Sequence, residues 1–454
     1  MKILDGITKT EQNPFFSEKI SRSPKKKKKI SSRPFWRLGK IVLGVGLAIG
    51  LILTIIKPST LAKNAGKILD LNGDYLVMIQ NNSELRPSGG FLGTFAIVTL
   101  KNGLVKELKI DTNIYKRDRD YIHKVCHLPP EPMRQITDCW AMRDANFSPD
   151  FRASAEKVIW FYQEEGGAAL DGAVAIDTTF FSELLKLTGS IDLPQYGLKV
   201  NEQNFLTTVQ YEVEQGYFTD EKNKQENEPK TILKDMIVPV WQKSQGLSKW
   251  QLSKFVYRQL KEKHLLLFSL NSKQQGLIEK YNFGGAIYDN STSDYFYLNS
   301  ANIGGGKSSL NVKETVDYKV KEDNGQLIAR WRLTRTHVGD GYWPDNTNKE
   351  WQRLLTPKGA ELQTVTIDGQ DKKAETGISE ESRKAVFSWW STVSPGKTTV
   401  IELIYQLPDT VDKNNYQLLV QKQPGRVDDE LTAVWQDKLL FQGQLKTDLL
   451  DLKK

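Results

Sequence analysis

The chain has 454 residues, 39% hydrophobic and 26% charged, an ordinary globular composition that excludes a chain disordered or fibrous throughout. Its formal net charge of +8 is uneven. The first forty residues hold twelve Lys/Arg against Asp5, Glu11 and Glu18, so +9 sits there and the rest is near −1. The basic balance belongs to a tail and gives no ground for a nucleic-acid partner.

Residues 1–37 are polar, carry Pro14, Pro24, Pro34 and the run Lys25–Lys29, and are expected to be a disordered cytoplasmic tail. Beside a membrane that run reads as contact with anionic lipid, worth roughly 1 kcal/mol per base, or as a determinant of topology alone. Residues 38–56 (LGKIVLGVGLAIGLILTII) carry no charge after Lys40. Nineteen helical residues span about 28 Å, close to a bilayer's hydrocarbon core. The basic excess before this run and the sparse Lys57, Lys63 and Lys67 after it predict a single-pass anchor. The N-terminus is then cytoplasmic and residues 57–454 extracytoplasmic, in the cell envelope. The long basic region before the apolar run and the weak small-residue stretch at Ala62–Ala65 favour an uncleaved signal anchor over a cleaved signal peptide.

After a linker at 57–67 and a short connecting helix at 59–72, Tyr75–Ile79 reads as a buried strand. Phe91–Leu100 and Leu104–Ile110 read as strands joined by a hairpin turn at Asn102-Gly103. Residues 112–142, with Pro129, Pro130 and Pro132, are expected to be irregular. A helix is predicted over Asp150–Glu164, capped by Ser148 or Asp150. Gly172–Ile176 is predicted as a strand, Thr178–Leu187 as a helix ended by Thr188-Gly189, and Ile191–Leu193 as a short strand. Helices are expected over 201–216, 228–245 and 248–269, with a solvated loop at 220–228. This alternation predicts an α/β or α+β ectodomain with a mixed sheet over 68–285. Beyond a connector at 286–307, period-two strands recur at Ser309–Val320, Gln326–Thr336, Glu361–Ile367, Ala385–Ser391, Thr398–Tyr405 and Tyr416–Gln421. They predict an all-β sandwich over 308–440, followed by a tail at 441–454.

Three stretches carry candidate chemistry. Asn81-Asn82-Ser-Glu84-Leu-Arg86-Pro-Ser88-Gly89-Gly90-Phe91 follows a buried strand, where open α/β sheets bind ligands. Arg86 suits a phosphate or carboxylate, and the Gly89-Gly90 amides suit an anion. The competing structural reading has Asn81 and Asn82 satisfying a turn while Glu84 and Arg86 pair with each other or with Asp144. Arg143-Asp144-Ala-Asn146-Phe-Ser-Pro-Asp150 precedes a helix N-terminus, with its unpaired N–H groups, and also reads as a plain cap. Asp111 closes a strand, and Arg117–Asp120 reads as a solvated loop. Cys126 and Cys139 both fall outside the membrane, and their twelve-residue loop predicts a disulfide. With His123 and His127 they fit no standard zinc spacing.

The first two motifs resemble those of the bacterial domain-of-unknown-function 4012 family. The resemblance continues through Asp171–Asp177, Leu187–Gly189, Asn302–Lys307 (NIGGGK), Trp351–Gly359 (WQRLLTPKG) and Gln423–Gly425. More distantly, the anchor topology and Leu170–Pro194 resemble the LytR-CpsA-Psr envelope proteins, although the Arg-x-Asp and Pro-Arg-Asp signatures of that group are missing. This second resemblance implies transfer of polyprenyl-diphosphate-linked glycopolymers. Arg86 and Arg143 would then neutralise the diphosphate, and Asp111 or Asp144 would hold a divalent cation such as Mg. All four are expected to converge in one crevice. The alternative is a non-enzymatic surface protein that binds a glycan, cell-wall polymer or peptide there.

Overall fold

The computed structural model describes residues 72–454 except 102–103, 112–113, 217–229, 290–291, 428 and 454. The expected tail, anchor and linker, the Asn102-Gly103 turn and the 220–228 loop lie outside the described residues. Among the described residues no helix is long and apolar enough to cross a membrane.

The N-terminal half is built on β1 (Gly73–Asn81), β2 (Phe91–Lys101) and β3 (Leu104–Asp111), an antiparallel meander. Helices α1 (Ile114–Ile122) and α2 (Phe151–Glu164) follow, and β4 (Gly172–Asp177) then pairs parallel with β1. The chain continues through α3 (Thr178–Thr188), the hairpin β5 (Ile191–Leu193) and β6 (Leu198–Val200), and helices α4 (Phe205–Glu214), α5 (Thr231–Ser244) and α6 (Lys249–Lys261). Strand β7 (Leu265–Ser269) closes the sheet antiparallel to β4, and α7 (Ser272–Lys280) follows. The sheet order is β3-β2-β1-β4-β7, a mixed sheet. Its central strands read as continuous apolar runs because both faces are covered. Tyr75 and Val77 join a core with Phe180, Phe255 and Val256, while Leu76 and Met78 join another with Phe151, Ala155 and Phe161.

Three local expectations are corrected. Residues 112–142 are not wholly irregular: α1 forms there, with Ile114, Asp118 and Tyr121 buried at helical spacing on one face. Arg117–Asp120 is therefore part of a helix rather than a solvated loop, and Asp118 is fully buried. The helix expected over 248–269 ends at Lys261; Lys263 takes a left-handed φ of 61°, and Leu265–Ser269 is a fully buried strand. A short leucine run buried on every side has no period that separates strand from helix. Cys126 and Cys139 are bonded, with Cα atoms 5.0 Å apart.

The C-terminal half contains β8 (Asp294–Asn302), β9 (Val312–Asp323), β10 (Gln326–His337), β11 (Asn348–Pro357), β12 (Glu361–Ile367), β13 (Gln370–Asp371) and β14 (Gly377–Glu381). It continues with β15 (Lys384–Val393), β16 (Thr398–Gln406), β17 (Gln417–Gln421), β18 (Glu430–Trp435), β19 (Lys438–Gln444) and β20 (Leu449–Lys453). They form a seven-stranded sheet, β13-β12-β16-β10-β9-β18-β19, and a six-stranded sheet, β14-β15-β11-β8-β17-β20. One core takes Trp331, Leu333, Leu403 and Tyr318 from the first sheet and Phe296, Leu354, Phe387 and Leu418 from the second. The alternating burial of β10 and β16 is what period-two patterning produces when one face packs inward.

Candidate functional site

The loop between β1 and β2, residues 82–90, is inserted into the C-terminal half. Asn82 is fully buried; its Nδ2 donates to Thr179 Oγ1 and to the Gly425 carbonyl, both at 2.8 Å. The Leu85 carbonyl accepts from Asn302 N at 2.9 Å, and the Ser83 carbonyl from Ser309 N at 2.9 Å. Gln423 Nε2 donates to the Arg86 carbonyl at 3.1 Å, and Asn299 Nδ2 to that of Pro87 at 2.9 Å. The glycines make this approach feasible. A Cβ on Gly425 would lie 2.1 Å from the Gly89 carbonyl oxygen, and one on Gly90 would lie 2.4 Å from the Asn81 carbonyl carbon. Gly89 has φ 136°, and its amide donates to the Arg86 carbonyl at 3.0 Å.

Residues 143–150 seat against the same joint. Ser88 Oγ donates to the Asn146 carbonyl at 3.2 Å, and Asn146 Nδ2 to that of Gly90 at 2.8 Å. Arg353 Nη2 donates to the Phe147 carbonyl at 3.3 Å, and the Phe147 and Trp351 rings stack 5.7 Å apart. Asp150 caps α2 by accepting from Arg152 N at 2.9 Å, and also accepts from Ile287 N at 3.2 Å. Burial raises the Asp150 carboxyl above its ordinary value. Asn81 Oδ1 accepts from Ser83 N and Oγ at 3.1 and 2.6 Å, a turn contact. The motifs at 81–91, 143–151, 302–307, 351–359 and 423–425 thus meet at one junction between the two halves.

Three of the four expected catalytic residues are linked by ion pairs. Arg86, 1% exposed, donates to Glu84 Oε1 at 2.9 Å and to the Asn302 carbonyl, and lies 4.0 Å from Asp144 Oδ1. Arg143 Nε is 3.2 Å from Asp144 Oδ2, and its Nη1 is 3.3 Å from Asp118 Oδ2. Arg86, Arg143 and Asp144 are therefore together, with two arginines held apart by one carboxylate. Asp111 is one step removed: it lies 3.8 Å from Arg117 Nε, which is 4.0 Å from Glu165 Oε2. Asp118 and Glu165 form a buried carboxyl pair. Burial, then the charge of Asp118, raises Glu165 to about 8, and burial raises Asp118 to about 6 despite Arg143. Asp144 is also raised, by burial, against the pull of Arg86 and Arg143. Among the described residues no group of three or more His, Cys, Asp or Glu side chains could hold a metal ion.

The concave feature lies next to this network. A cavity of about 360 Å³ opens between the β1-β2-β4 face and helices α3, α4 and α5. Its walls are apolar, including Phe181, Leu185, Val209, Met236, Ile237 and Val240. Glu84, Tyr115, Glu214, Lys230 and Lys307 give it charged and polar lining. Of the expected site residues, Asn81 and Glu84 line it, while Arg86, Asp111, Arg143 and Asp144 do not. Tyr115 separates the two features: Arg143 lies 5.5 Å and Lys230 5.3 Å from its ring centroid. Burial raises the Tyr115 hydroxyl to about 12, so it stays neutral. Lys230 donates to the Gly93 carbonyl, and Lys307 pairs with Glu214. Sequence reasoning missed both lysines. Lys307 closes the NIGGGK motif, the one signal that pointed at it.

Residues 71–213 match the model of a family described as a protein of unknown function (DUF4012). That stretch runs from β1 into α4 and includes the 81–91 and 143–151 motifs. No curated protein matches the chain in sequence. Among solved structures, a protein of Legionella pneumophila described as nutrient-binding is similar at 12% identity and TM-score 0.18, over 29% of this chain and 56% of that one. Leukotriene A4 hydrolase of Saccharomyces cerevisiae is similar at 7% identity and TM-score 0.15, over 24% and 22%. An M1 zinc metallopeptidase of Deinococcus radiodurans is similar at 12% identity and TM-score 0.12, over 32% of each chain. Likenesses this low carry no inference about fold or activity here.

Proposed function

We propose that this protein binds a long-chain amphiphile, held at the extracytoplasmic face of a membrane by the segment at 38–56. The observation that carries the reading is the apolar cavity with its charged lining, a volume within the ordinary range for small-molecule sites. An apolar wall with few polar groups suits an alkyl or isoprenoid chain, whose transfer from water is favourable by about 0.8 kcal/mol per methylene. A polyprenyl-linked glycan precursor belongs to that class and would be presented at the same membrane surface.

The transferase alternative is the less favoured proposal. It requires Arg86 and Arg143 to leave the buried Asp144 in order to meet a diphosphate. Breaking such pairs exposes a buried charge on the remaining partner, at a cost of several kcal/mol. Binding without catalysis needs no such rearrangement.

The test is a calorimetric titration of the full chain in phosphatidylcholine nanodiscs with alkyl probes of ten, twelve and fourteen carbons. Each added methylene should tighten binding about fourfold until the cavity is filled. Val209→Trp, which puts an indole into the cavity, should abolish binding while leaving the melting temperature near wild type. Binding that ignores chain length, or that survives Val209→Trp, refutes the reading.

A further inference from the structure

The cavity is lined by a cation that no carboxylate among the described residues pairs with. Lys230 lines it, half-buried, at the cap of α5. Its one hydrogen bond among the described residues goes to the Gly93 carbonyl, and no carboxylate lies within ion-pair distance of it among them. Gly93 provides the room: a Cβ there would stand 2.8 Å from the ammonium nitrogen. The charged groups facing Lys230 are Lys307, Glu214, Glu84 and Asp111, with the neutral Tyr115 beneath it. Lys307 and Glu214 neutralise one another, Glu84 is taken by Arg86, and Asp111 by Arg117. Among the described residues one positive charge is left beside an apolar volume. Burial, then the neighbouring Lys307, lowers Lys230 to about 8, the mark of an ammonium short of stabilising partners.

A second observation points into the same volume. Gln210, on α4, lines the cavity and is 6% exposed. Its Nε2 has no hydrogen-bond partner among the described residues. A buried amide donor left unpaired costs free energy that a ligand oxygen would recover.

We propose that Lys230 binds an anionic oxygen head, a phosphate or a carboxylate, on the amphiphile whose chain occupies the cavity, with Gln210 donating to the same head. This rests on the chain-binding reading and deepens it by assigning the charge and placement of the head. The head is recognised at the cavity rather than at Arg86 and Arg143, whose guanidinium groups are committed to Glu84, Asp118 and Asp144.

The experiment compares three probes with one chain length, dodecyl phosphate, dodecanoate and dodecanol, on the full chain in phosphatidylcholine nanodiscs. The wild type should bind both anions, or one of them, at least about tenfold tighter than dodecanol, a charge-assisted preference. The tighter anion identifies the head as phosphate or carboxylate. Lys230→Met should reduce anion binding to the dodecanol level and leave dodecanol itself unchanged, whereas Lys230→Arg should retain the preference. Anion affinity should also fall as pH rises through about 8, where free Lys230 loses its proton, while dodecanol affinity stays flat. Equal binding of all three probes overturns this inference and leaves chain binding standing. An unchanged anion preference in Lys230→Met overturns it as well. Failure of every probe to bind overturns both readings. Gln210→Leu, on α4 rather than α5, provides a second variant should Lys230→Met fail to fold: it should lower the anion preference, and an unchanged preference overturns the inference.

Discussion

Replacing Arg86 by Met separates a structural arginine from a ligand-binding one. Arg86 is 1% exposed and holds Glu84 at 2.9 Å, the carbonyl of Asn302 and, at 4.0 Å, Asp144. Methionine fills much of the same space without the charge. Glu84, whose side chain is 25% exposed, can turn to water, so its loss is small. Asp144 cannot: it is 3% exposed and would keep only Arg143, at 3.2 Å. Removing one partner from a buried ion pair costs about 3–5 kcal/mol, and the remaining Arg143 contact places this case near 3. The Asn302 carbonyl also loses its charged donor, which weakens the junction between the halves. For a unit this large, about 3 kcal/mol lowers the melting temperature by roughly 4 °C. The assay is a near-UV circular dichroism melt of the full chain beside a dodecyl phosphate titration at 20 °C. Glu84 lines the cavity and would face Lys230 once Arg86 is gone, so the titration uses the Arg86→Met/Glu84→Gln double variant; its affinity should stay within about twofold of wild type, since Arg86 does not line the cavity. A melt within about 1 °C of wild type together with lost anion binding would refute this reasoning and restore Arg86 as a ligand contact.

Glu165 should impose a pH dependence on stability. Its folded value of about 8 exceeds the ordinary 4.5, so between those values the folded chain keeps a proton that the unfolded chain has released. This contribution is complete below about pH 4.5 and is lost as pH rises towards 8. Glu165→Gln should flatten that decline, and urea midpoints at pH 5 and pH 8 measure it; equal slopes in both proteins would count against a proton held there. Reduction of Cys126–Cys139 should lower stability by about 3 kcal/mol, as the chain-entropy relation gives for a loop near this length. Both thiols should resist alkylation in the native chain until a reductant is added, and labelling beforehand would exclude the bridge.

Local chemistry alone was enough for the meander of β1 to β3, the Asp150 cap of α2 and the Gly189 end of α3, because each depends on neighbours within a few residues. The turns at Asn324-Gly325 and Asp368-Gly369, with all four φ angles positive, were legible for the same reason. Cysteine spacing likewise predicted the bridge. Helix α1 was concealed because its buried face includes Asp118, a residue that patterning counts as polar; burial became feasible only with Arg143, twenty-five residues away, as its partner. The motif around Arg86 was visible as a charged, glycine-containing loop, yet its sequence is equally consistent with a ligand site and with a joint. Its setting depends on groups that arrive from more than two hundred residues away: the Asn302 carbonyl that takes the guanidinium, and the Gly425 backbone that packs on Gly89. The cavity could not be read at all, because apolar periodicity records that a helix face is covered and not whether the covering leaves a void. Lys230 carries no local mark distinguishing it from the chain's other lysines, and Lys307 only its place at the end of NIGGGK. Only the packing of α5 and of the loop after β8 against the sheet puts both charges at one apolar volume and leaves one of them without a carboxylate partner among the described residues.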